Sequence, residues 1–347
     1  MKKSKIIGAI LAGVGITIAA LLVLIIVAVF LLERGPSQSA KVIFVNSVKE
    51  TSAMGWLANL FLSDEEVQQI VESSQMKTLD EGQETDTNLI NIDEETVTED
   101  IEVIDVQGST YKGKLMIIHD PSKVFCGTIG EFGNFEGMEV QDMVNRYNSL
   151  GYNVVGGING GDFVDNGTNA AATGQPLGLV ISEGEIVYSQ YGNDYAYEQL
   201  CGFTEDNKFV LMQDITANEA IEKGIRDALY CVHNTGPFLI INNEVLVNAV
   251  PNTSTYGGGK NPRSAIGQRE DGAVLLLVVD GRQGNSLGAS FKDLAYAMQE
   301  YGAVNAAAMD GGTSTQMVYE GEVLNHPYSP TGPRKCPTSW LVLDPES

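Results

Sequence analysis

Three apolar segments of the sequence end in an asparagine or an aspartate that is followed at once by glycine. The polar residues are Asn159 after residues 154–158, Asp280 after residues 274–279, and Asp310 after residues 306–309. One such motif is explained by a turn, because Asn-Gly and Asp-Gly pairs tolerate the backbone conformations that reverse a strand. Three of them predict that neighbouring strands end along one edge of a sheet and bring these side chains into one cleft.

Two arginines near these motifs indicate which ligand the cleft takes. Arg263 follows Asn261-Pro262, and Arg282 comes two residues after Asp280. A guanidinium group binds phosphate through paired hydrogen bonds, and two carboxylates can divide the roles of acid and base when their surroundings separate their pKa values. A sugar phosphate suits this mixture of groups. The predicted catalytic residues are therefore Asp280, Asp310, Arg263 and Arg282.

Further polar and glycine residues complete the predicted site. The candidates for substrate binding are Asn159, Asp162, Gly311, Gly312, Thr313 and Ser314. Glycines let backbone N–H groups approach a ligand closely, so residues 311–314 are expected to form an anion-binding loop with two hydroxyl groups beside it. Asp280 and Asp310 also offer the oxygen ligands that Mg²⁺ or Ca²⁺ prefers, which leaves a divalent cation open as a cofactor.

Several widespread catalytic motifs do not occur in the sequence. It contains no phosphate-binding P-loop, no His-Glu-x-x-His, no Gly-x-Ser-x-Gly and no EF-hand spacing. His119, His233 and His326 are too scattered to indicate a metal cluster. Serine-triad hydrolysis and zinc-peptidase chemistry are therefore excluded.

An uncharged stretch near the amino terminus predicts a membrane anchor. Residues 6–32 contain no charged side chain, and about 20 apolar residues suffice to cross a bilayer as a helix. Lys2, Lys3 and Lys5 precede the stretch, so residues 1–5 are predicted in the cytoplasm and the rest of the chain outside the cell membrane. A cleaved signal peptide is the alternative, but its apolar region is ordinarily about 7–15 residues long.

The net charge of −24 argues against nucleic acid as a partner, because the field of the chain repels phosphate at long range. Much of this charge lies in residues 63–106. Ser63 and Glu66 form a capping-box pattern that predicts the start of a helix. Residues 33–100 are therefore interpreted as a juxtamembrane helix followed by a solvated acidic stalk.

Residues 101–347 have short apolar runs punctuated by glycine, which predicts an α+β domain with a mixed β-sheet and flanking helices. Helices are predicted over residues 137–150, 216–229 and 290–301. The cysteines are Cys126, Cys201, Cys231 and Cys336. Outside the cytoplasm they can form two disulfides, and a domain of this size equally accommodates them as buried thiols.

The ordered set of motifs resembles the phosphodiester glycosidase family, which includes many bacterial exopolysaccharide-associated proteins. The resemblance covers residues 101–345 and rests on Asn159-Gly160-Gly161-Asp162-Phe163, Gly236-Pro237-Phe238-Leu239, Arg263-Ser264-Ala265-Ile266-Gly267, Asp280-Gly281-Arg282, Asp310-Gly311-Gly312-Thr313-Ser314, Val323-Leu324-Asn325 and Trp340-Leu341-Val342-Leu343. It implies that Arg263 faces the phosphate and that Asp280, Arg282 and Asp310 form the reacting centre. Asp162 stands where the family often has an aromatic or small residue, which points to substrate choice rather than catalysis.

The resemblance implies hydrolysis of a sugar-1-phosphodiester with release of the sugar. With the predicted anchor, the leading interpretation is a membrane-tethered hydrolase acting on extracytoplasmic glycans or cell-envelope polysaccharide. Two alternative functions would use the same residues in other roles. One is a non-catalytic envelope protein that binds phosphorylated polysaccharide, and the other is a metal-dependent phosphodiesterase that cleaves the P–O bond.

Overall fold

The computed structural model describes residues 2–51, 54–74, 79–80, 82–93, 100–164, 172–232, 237–246, 258–329 and 332–345. His233 and Gly236 lie outside these ranges. The helices are α1 (Lys2–Arg34), α2 (Gln38–Lys49), α3 (Asp64–Glu72), α4 (Val140–Ser149), α5 (Ala217–Glu222) and α6 (Phe291–Glu300). The strands are β1 (Ile101–Gln107), β2 (Lys112–Ile118), β3 (Val124–Thr128), β4 (Val154–Asn159), β5 (Leu179–Ser182), β6 (Glu185–Ser189), β7 (Leu200–Thr204), β8 (Phe209–Met212), β9 (Ile225–Tyr230), β10 (Phe238–Ile241), β11 (Glu244–Val245), β12 (Arg263–Arg269), β13 (Val274–Val279), β14 (Ala303–Met309), β15 (Met317–Tyr319), β16 (Glu322–Val323) and β17 (Thr338–Leu343).

These strands form three sheets. The first has the order β1-β2-β13-β12-β14-β10-β11, the second β16-β15-β4-β17-β3, and the third β6-β5-β9-β7-β8. Neighbouring strands within the described ranges pair antiparallel throughout. The predicted α+β class is confirmed, with strands outnumbering helices.

The main hydrophobic core lies where the three sheets face one another. Trp340 of β17 is completely buried and meets Phe203 of β7 edge-on, with 5.6 Å between ring centroids. The opposite face of the first sheet is covered by α6, which buries Phe291, Leu294 and Met298. Their spacing places them on one face of the helix. The α4 and α5 helices cover the second and third sheets in the same way.

One predicted helix is wrong in its second half. Residues 216–229 were expected to be one helix, but α5 ends at Glu222 and β9 begins at Ile225. Gly224 separates the two with a φ of +72°, a left-handed conformation that favours glycine and ends helices. The capping pattern of Thr216 and Glu219 is present at the start of α5, so only the length of this helix differs from the prediction.

The described residues before β1 include the three α-helices α1, α2 and α3. In α1, residues Ile10–Arg34 are long and apolar enough to cross a membrane, and only 6% of the apolar window is buried within the chain. The α3 helix begins with the predicted capping box between Ser63 and Glu66. Val45 of α2 and Val67 of α3 are buried together in a small core of their own.

The expected solvated stalk is different in its described portion, because part of it packs on the sheets. Leu79 and Ile90 are 5% and 1% exposed. The Asn91 N–H donates to the carbonyl of Glu270 at 2.7 Å, and the Thr85 hydroxyl donates to the carbonyl of Leu211 at 3.2 Å. Acidic composition predicted a spacer, and the few apolar residues within it provide the packing contacts.

All four cysteines are buried free thiols. Of the two arrangements that the sequence left open, the structure has the thiols. Burial raises the pKa of Cys126 and Cys201 well above the usual value, so they are poor nucleophiles.

Candidate active site

The register of the first sheet brings the predicted residues together. Arg263 at the start of β12 pairs with Val279 at the end of β13, and Ser264 pairs with Met309 at the end of β14. Because both pairings are antiparallel, the residues after β13 and β14 lie level with the start of β12. Asp280, Asp310 and Arg263 therefore share one end of the first sheet, which we call the site edge.

Asn159 connects the second sheet to the site edge. It is completely buried at the end of β4. Its side-chain Nδ2 donates to the carbonyl of Asp310 at 2.6 Å, and its Oδ1 accepts hydrogen bonds from the Ser264 hydroxyl at 2.7 Å and the Gln316 N–H at 3.2 Å. Asn159 was predicted to bind substrate; its contacts connect the Asp310 carbonyl to Ser264 of β12 and to the Gln316 backbone.

The Asp310 carboxyl group has the most perturbed acidity at the site edge. Loss of hydration by burial, followed by repulsion from the charge of Asp162, raises its pKa to about 7. The Ser314 hydroxyl and Arg334 act in the opposite direction. A carboxyl group with a pKa near neutrality can accept and return a proton at physiological pH, as a general acid–base catalyst must.

Asp162 is therefore the carboxylate that acts on Asp310. It is 6% exposed, and its Oδ1 accepts a hydrogen bond from the Phe163 N–H at 2.8 Å. Its own N–H donates to the carbonyl of Tyr230 at 3.1 Å. A side chain on the preceding Gly161 would meet that carbonyl oxygen at 2.3 Å, so glycine permits the close approach that places Asp162 in the site.

Asp280 was predicted as the second catalytic carboxylate, but its visible contacts are structural. Its Oδ1 accepts hydrogen bonds from Asn325 Nδ2 at 3.1 Å and from the His326 N–H at 2.9 Å. Asn325 also donates to the carbonyl of Thr315 at 3.0 Å. Asp280 thus ties two loops of the site together, and Asp162 is the carboxylate whose charge reaches Asp310.

Arg282 lies on the loop that carries Asp280 and extends to the loop that follows Asp310. It has a φ of +58°, and its guanidinium group donates to Asn261 Oδ1 and to the Thr51 hydroxyl, each at 3.2 Å. A Cβ on Gly312 would lie 3.5 Å from its Nη2, so Arg282 lies directly against the glycine loop. Burial, then the nearby charge of Arg263, lowers the pKa of Arg282 below its usual value.

Arg263 is fixed on several sides. It is 6% exposed, and its guanidinium carbon lies 3.7 Å above the centroid of the Phe291 ring. Its Nε donates to the carbonyl of Ala289 at 3.1 Å, and its Nη2 donates to Glu50 Oε2 at 2.6 Å. The predicted phosphate-binding arginine therefore has an acidic partner from the amino-terminal part of the chain.

The predicted anion-binding loop follows Asp310 at the end of β14. Residues Gly312–Ser314 form one turn of 3-10 helix. The Gly312 N–H donates to the carbonyl of Pro262 at 2.9 Å, and the Ser314 N–H donates to that of Gly311 at 3.2 Å. These two donors are used within the protein and tie the loop to the strand ends. That residues 311–314 bind an anion stays a prediction.

Sequence analysis missed three residues of the site. Arg334 reaches it because its N–H donates to the carbonyl of Thr313 at 2.9 Å, and its charge acts on Asp310 and Arg282. Asn261 and Glu50 contact the two predicted arginines. Asn261 belongs to the segment Asn261-Pro262-Arg263 and could have been predicted as a site residue from it. No local sequence pattern indicates Arg334 or Glu50.

The structure also shows the contacts of two histidines and whether acidic, histidine and cysteine side chains cluster as metal ligands. His119 pairs with Glu102 at 2.9 Å, and the His326 backbone contacts Asp280. Within the described ranges, no group of three or more His, Cys, Asp or Glu side chains is arranged to hold a metal ion.

The three-sheet fold with this polar site edge defines a phosphodiester glycosidase-type domain. The sequence profile of the phosphodiester glycosidase family matches residues 152–343, more than half of the chain. The chain belongs to this family.

Individual relatives are distant. The catalytic domain of zebrafish N-acetylglucosamine-1-phosphodiester alpha-N-acetylglucosaminidase, auto-inhibited by its pro-peptide, superposes with a TM-score of 0.55 at 21% identity, over 70% of this chain and 82% of that one. The SPbeta prophage-derived protein YomE of Bacillus subtilis is 30% identical over 164 residues, which are 46% of this chain. This chain spans only 24% of the length of YomE.

Proposed function

We propose that the chain is a membrane-anchored hydrolase that cleaves sugar-1-phosphodiester linkages outside the cytoplasm, in glycans or cell-envelope polysaccharide. Family membership supports a glycosidase-type reaction. The apolar segment Ile10–Arg34 of α1, with Lys2, Lys3 and Lys5 before it in the sequence, supports the anchor and its orientation. The observation that carries the proposal is the pair of Asp310 and Asp162 beside three arginines, one acid–base group next to a phosphate-binding cluster.

In the proposed reaction, ionised Asp310 accepts a proton from water while the water oxygen bonds to the anomeric carbon. The bond between that carbon and the phosphate oxygen breaks, and its electron pair leaves with the phosphate monoester. We assign stabilisation of the charge that develops on the phosphate to Arg263, Arg282 and Arg334, whose charges act on one another at the site edge. A well-placed donor to such a developing charge contributes about 3–4 kcal/mol to lowering the barrier.

Asp162 has a separate role in this scheme. Its negative charge raises the pKa of Asp310, which makes Asp310 a stronger base once it is ionised. The proposal departs here from the sequence-based pairing of Asp310 with Asp280. Asp280, Asn159 and Asn325 are positioning residues, because they hold the loops that carry Asp310 and Arg282.

The test is incubation of the full chain in detergent with a panel of sugar-1-phosphodiesters in ¹⁸O-labelled water. Free sugar and phosphate monoester are identified separately, and Asp310→Asn is the matched inactive variant. The proposal expects sugar release with the label in the sugar. Label in the phosphate product would show P–O cleavage and favour the phosphodiesterase alternative. Binding of every compound without product release would favour the non-catalytic binding protein.

A further inference from the structure

The segment between α2 and α3 carries large apolar side chains on its outer surface. Residues 51–63 contain no charged side chain, although acidic residues flank them on both sides. Met54 is 48% exposed, Trp56 65% and Leu60 39%. We call these three side chains the apolar patch. Large apolar side chains grouped on a surface mark contacts with a membrane or another protein.

Other side chains of the same segment hold the apolar patch in place. Leu57, Ala58 and Leu62 pack with Val45 of α2 and Val67 of α3 in the small amino-terminal core. The packing therefore sorts the segment into an inner and an outer side. The apolar patch is the outer side of a folded unit.

The end of α1 fixes the position of the segment relative to a bilayer. Phe61, next to Leu60, meets Phe30 of α1 edge-on, with 5.3 Å between ring centroids. The Phe61 N–H donates to Glu33 Oε2 at 2.7 Å, and its carbonyl accepts a hydrogen bond from Arg34 Nε at 2.9 Å. Phe30 belongs to the uncharged stretch of α1, and Glu33 is the first charged residue after it. With that stretch across a membrane, Phe61 lies where the hydrocarbon meets the headgroups.

We propose that the apolar patch inserts into the outer interface of the bilayer around α1, as a second membrane contact of the chain. The proposal rests on the membrane anchor of the proposed function. Tryptophan suits this position, because its ring is apolar, its N–H is a hydrogen-bond donor, and it is enriched at membrane–water interfaces. Phe30 and Leu31 at the end of α1 are also exposed. A bilayer is the partner that covers them and the apolar patch together.

This second contact would limit how far the site edge lies from the membrane. The segment follows directly on Glu50 and Thr51, which contact Arg263 and Arg282. A chain held by α1 alone could place the site edge at many distances from the bilayer. Insertion of Trp56 would hold it close to the surface.

The experiment measures tryptophan fluorescence of the full chain in phosphatidylcholine bilayers that are brominated near the headgroup end of the acyl chains. Bromine quenches an indole ring only at close range. Trp56 and Trp340 are the two tryptophans of the chain. Trp340 is completely buried in the main core and serves as an internal reference. Trp56→Phe removes the reporter in the apolar patch and keeps an aromatic ring there.

Two control variants are made in the Trp56→Phe background. Val23→Trp places an indole within the apolar stretch of α1 and reports whether that helix lies in the bilayer. Tyr191→Trp places an indole on the loop after β6, where the native side chain is 60% exposed, close to the value for Trp56. It reports quenching of an exposed ring on the third sheet.

We expect brominated bilayers to lower the Trp56 emission, taken as wild type minus Trp56→Phe, at least twofold. Val23→Trp should also be quenched, and Tyr191→Trp should not. If Val23→Trp is quenched while Trp56 is not, the anchor holds and the proposal is overturned, as it would be by a second copy of the chain covering the apolar patch. Quenching of Tyr191→Trp as strong as that of Trp56 would overturn it as well. An unquenched Val23→Trp would show that the proposed anchor itself fails, and this proposal with it.

Discussion

Replacement of Asp310 by asparagine is expected to stop turnover and to stabilise the fold at alkaline pH. The carboxyl group has a pKa of about 7 in the folded chain, against 3.8 for the free group. Between these pH values the folded state binds a proton that the unfolded state has lost. Stability therefore falls as the pH rises from about 4 to about 7, and Asp310 costs most above pH 7.

The size of this cost follows from the difference in pKa. A difference of about three pKa units corresponds to about 4 kcal/mol. Asp310 is partly exposed, and solvent screening reduces the cost, so we expect about 2 kcal/mol. Asp310→Asn keeps the shape of the side chain and removes the charge. The variant should be more stable than wild type by this amount at pH 8 and nearly equal to it at pH 4.

The assay is urea unfolding of the full chain in detergent at both pH values, followed by tryptophan fluorescence. Trp340 is completely buried in the main core, whereas Trp56 is 65% exposed, so the unfolding signal comes mainly from Trp340. Asp280→Asn is the control and should lower stability by about 1 kcal/mol, because it weakens two hydrogen bonds from Asn325 and His326. The reasoning would be refuted if Asp310→Asn were no more stable than wild type at pH 8, or if it gained the same free energy of unfolding at pH 4 as at pH 8.

Three further outcomes are expected for the proposed hydrolase. The pH dependence of kcat/KM should have an acid limb near pH 7. Asp162→Asn should move that limb down by about one pH unit, because the neighbouring negative charge is lost. An acid limb that does not move would show that the charge of Asp162 does not set the pKa of Asp310. Asn159→Ala should lower kcat at least tenfold at unchanged pH optimum, because the Asp310 backbone loses its anchor, and full activity in steady-state kinetics would contradict this role. Activity should persist in EDTA, because Asp280 Oδ1 already accepts hydrogen bonds from two protein donors. If EDTA abolished activity and Mg²⁺ restored it, the reaction would be metal-dependent.

The convergence of distant residues could be predicted because it follows from strand register. Asn159, Arg263, Asp280 and Asp310 each flank an apolar strand, and antiparallel pairing places such flanks at a common end. Composition and turn chemistry were enough to select these positions. They were not enough to assign roles, because a role depends on which oxygen faces which donor.

The choice of the second carboxylate shows this limit. Asp280 and Asp310 stand in similar Asp-Gly contexts, so the sequence favoured them as a pair. The difference between them arises from loops distant in sequence. Asp280 meets Asn325 and His326, whereas Asp162 is brought towards Asp310 by the backbone of Tyr230.

The position of Glu50 could not be inferred by any local rule. It is 213 residues from Arg263 in the sequence and lies in a segment that composition assigned to a spacer. A charged residue in an acidic region ordinarily faces solvent. What selects Glu50 is its place at the end of α2 and the glycine at position 259, which lets the helix approach.

The net charge of −24 is compatible with a cluster of arginines that binds an anion, because the two act over different distances. Charge spread over the surface is screened within about 10 Å at ordinary ionic strength, so it neither neutralises nor blocks a cluster in which Arg263 is buried and Arg282 and Arg334 are partly buried. Within that cluster, Arg263 lowers the pKa of Arg282 after burial has done so, which shows that the cations repel one another. The Glu50 carboxylate counters this repulsion, because its charge raises the pKa of Arg282 and it accepts a hydrogen bond from Arg263.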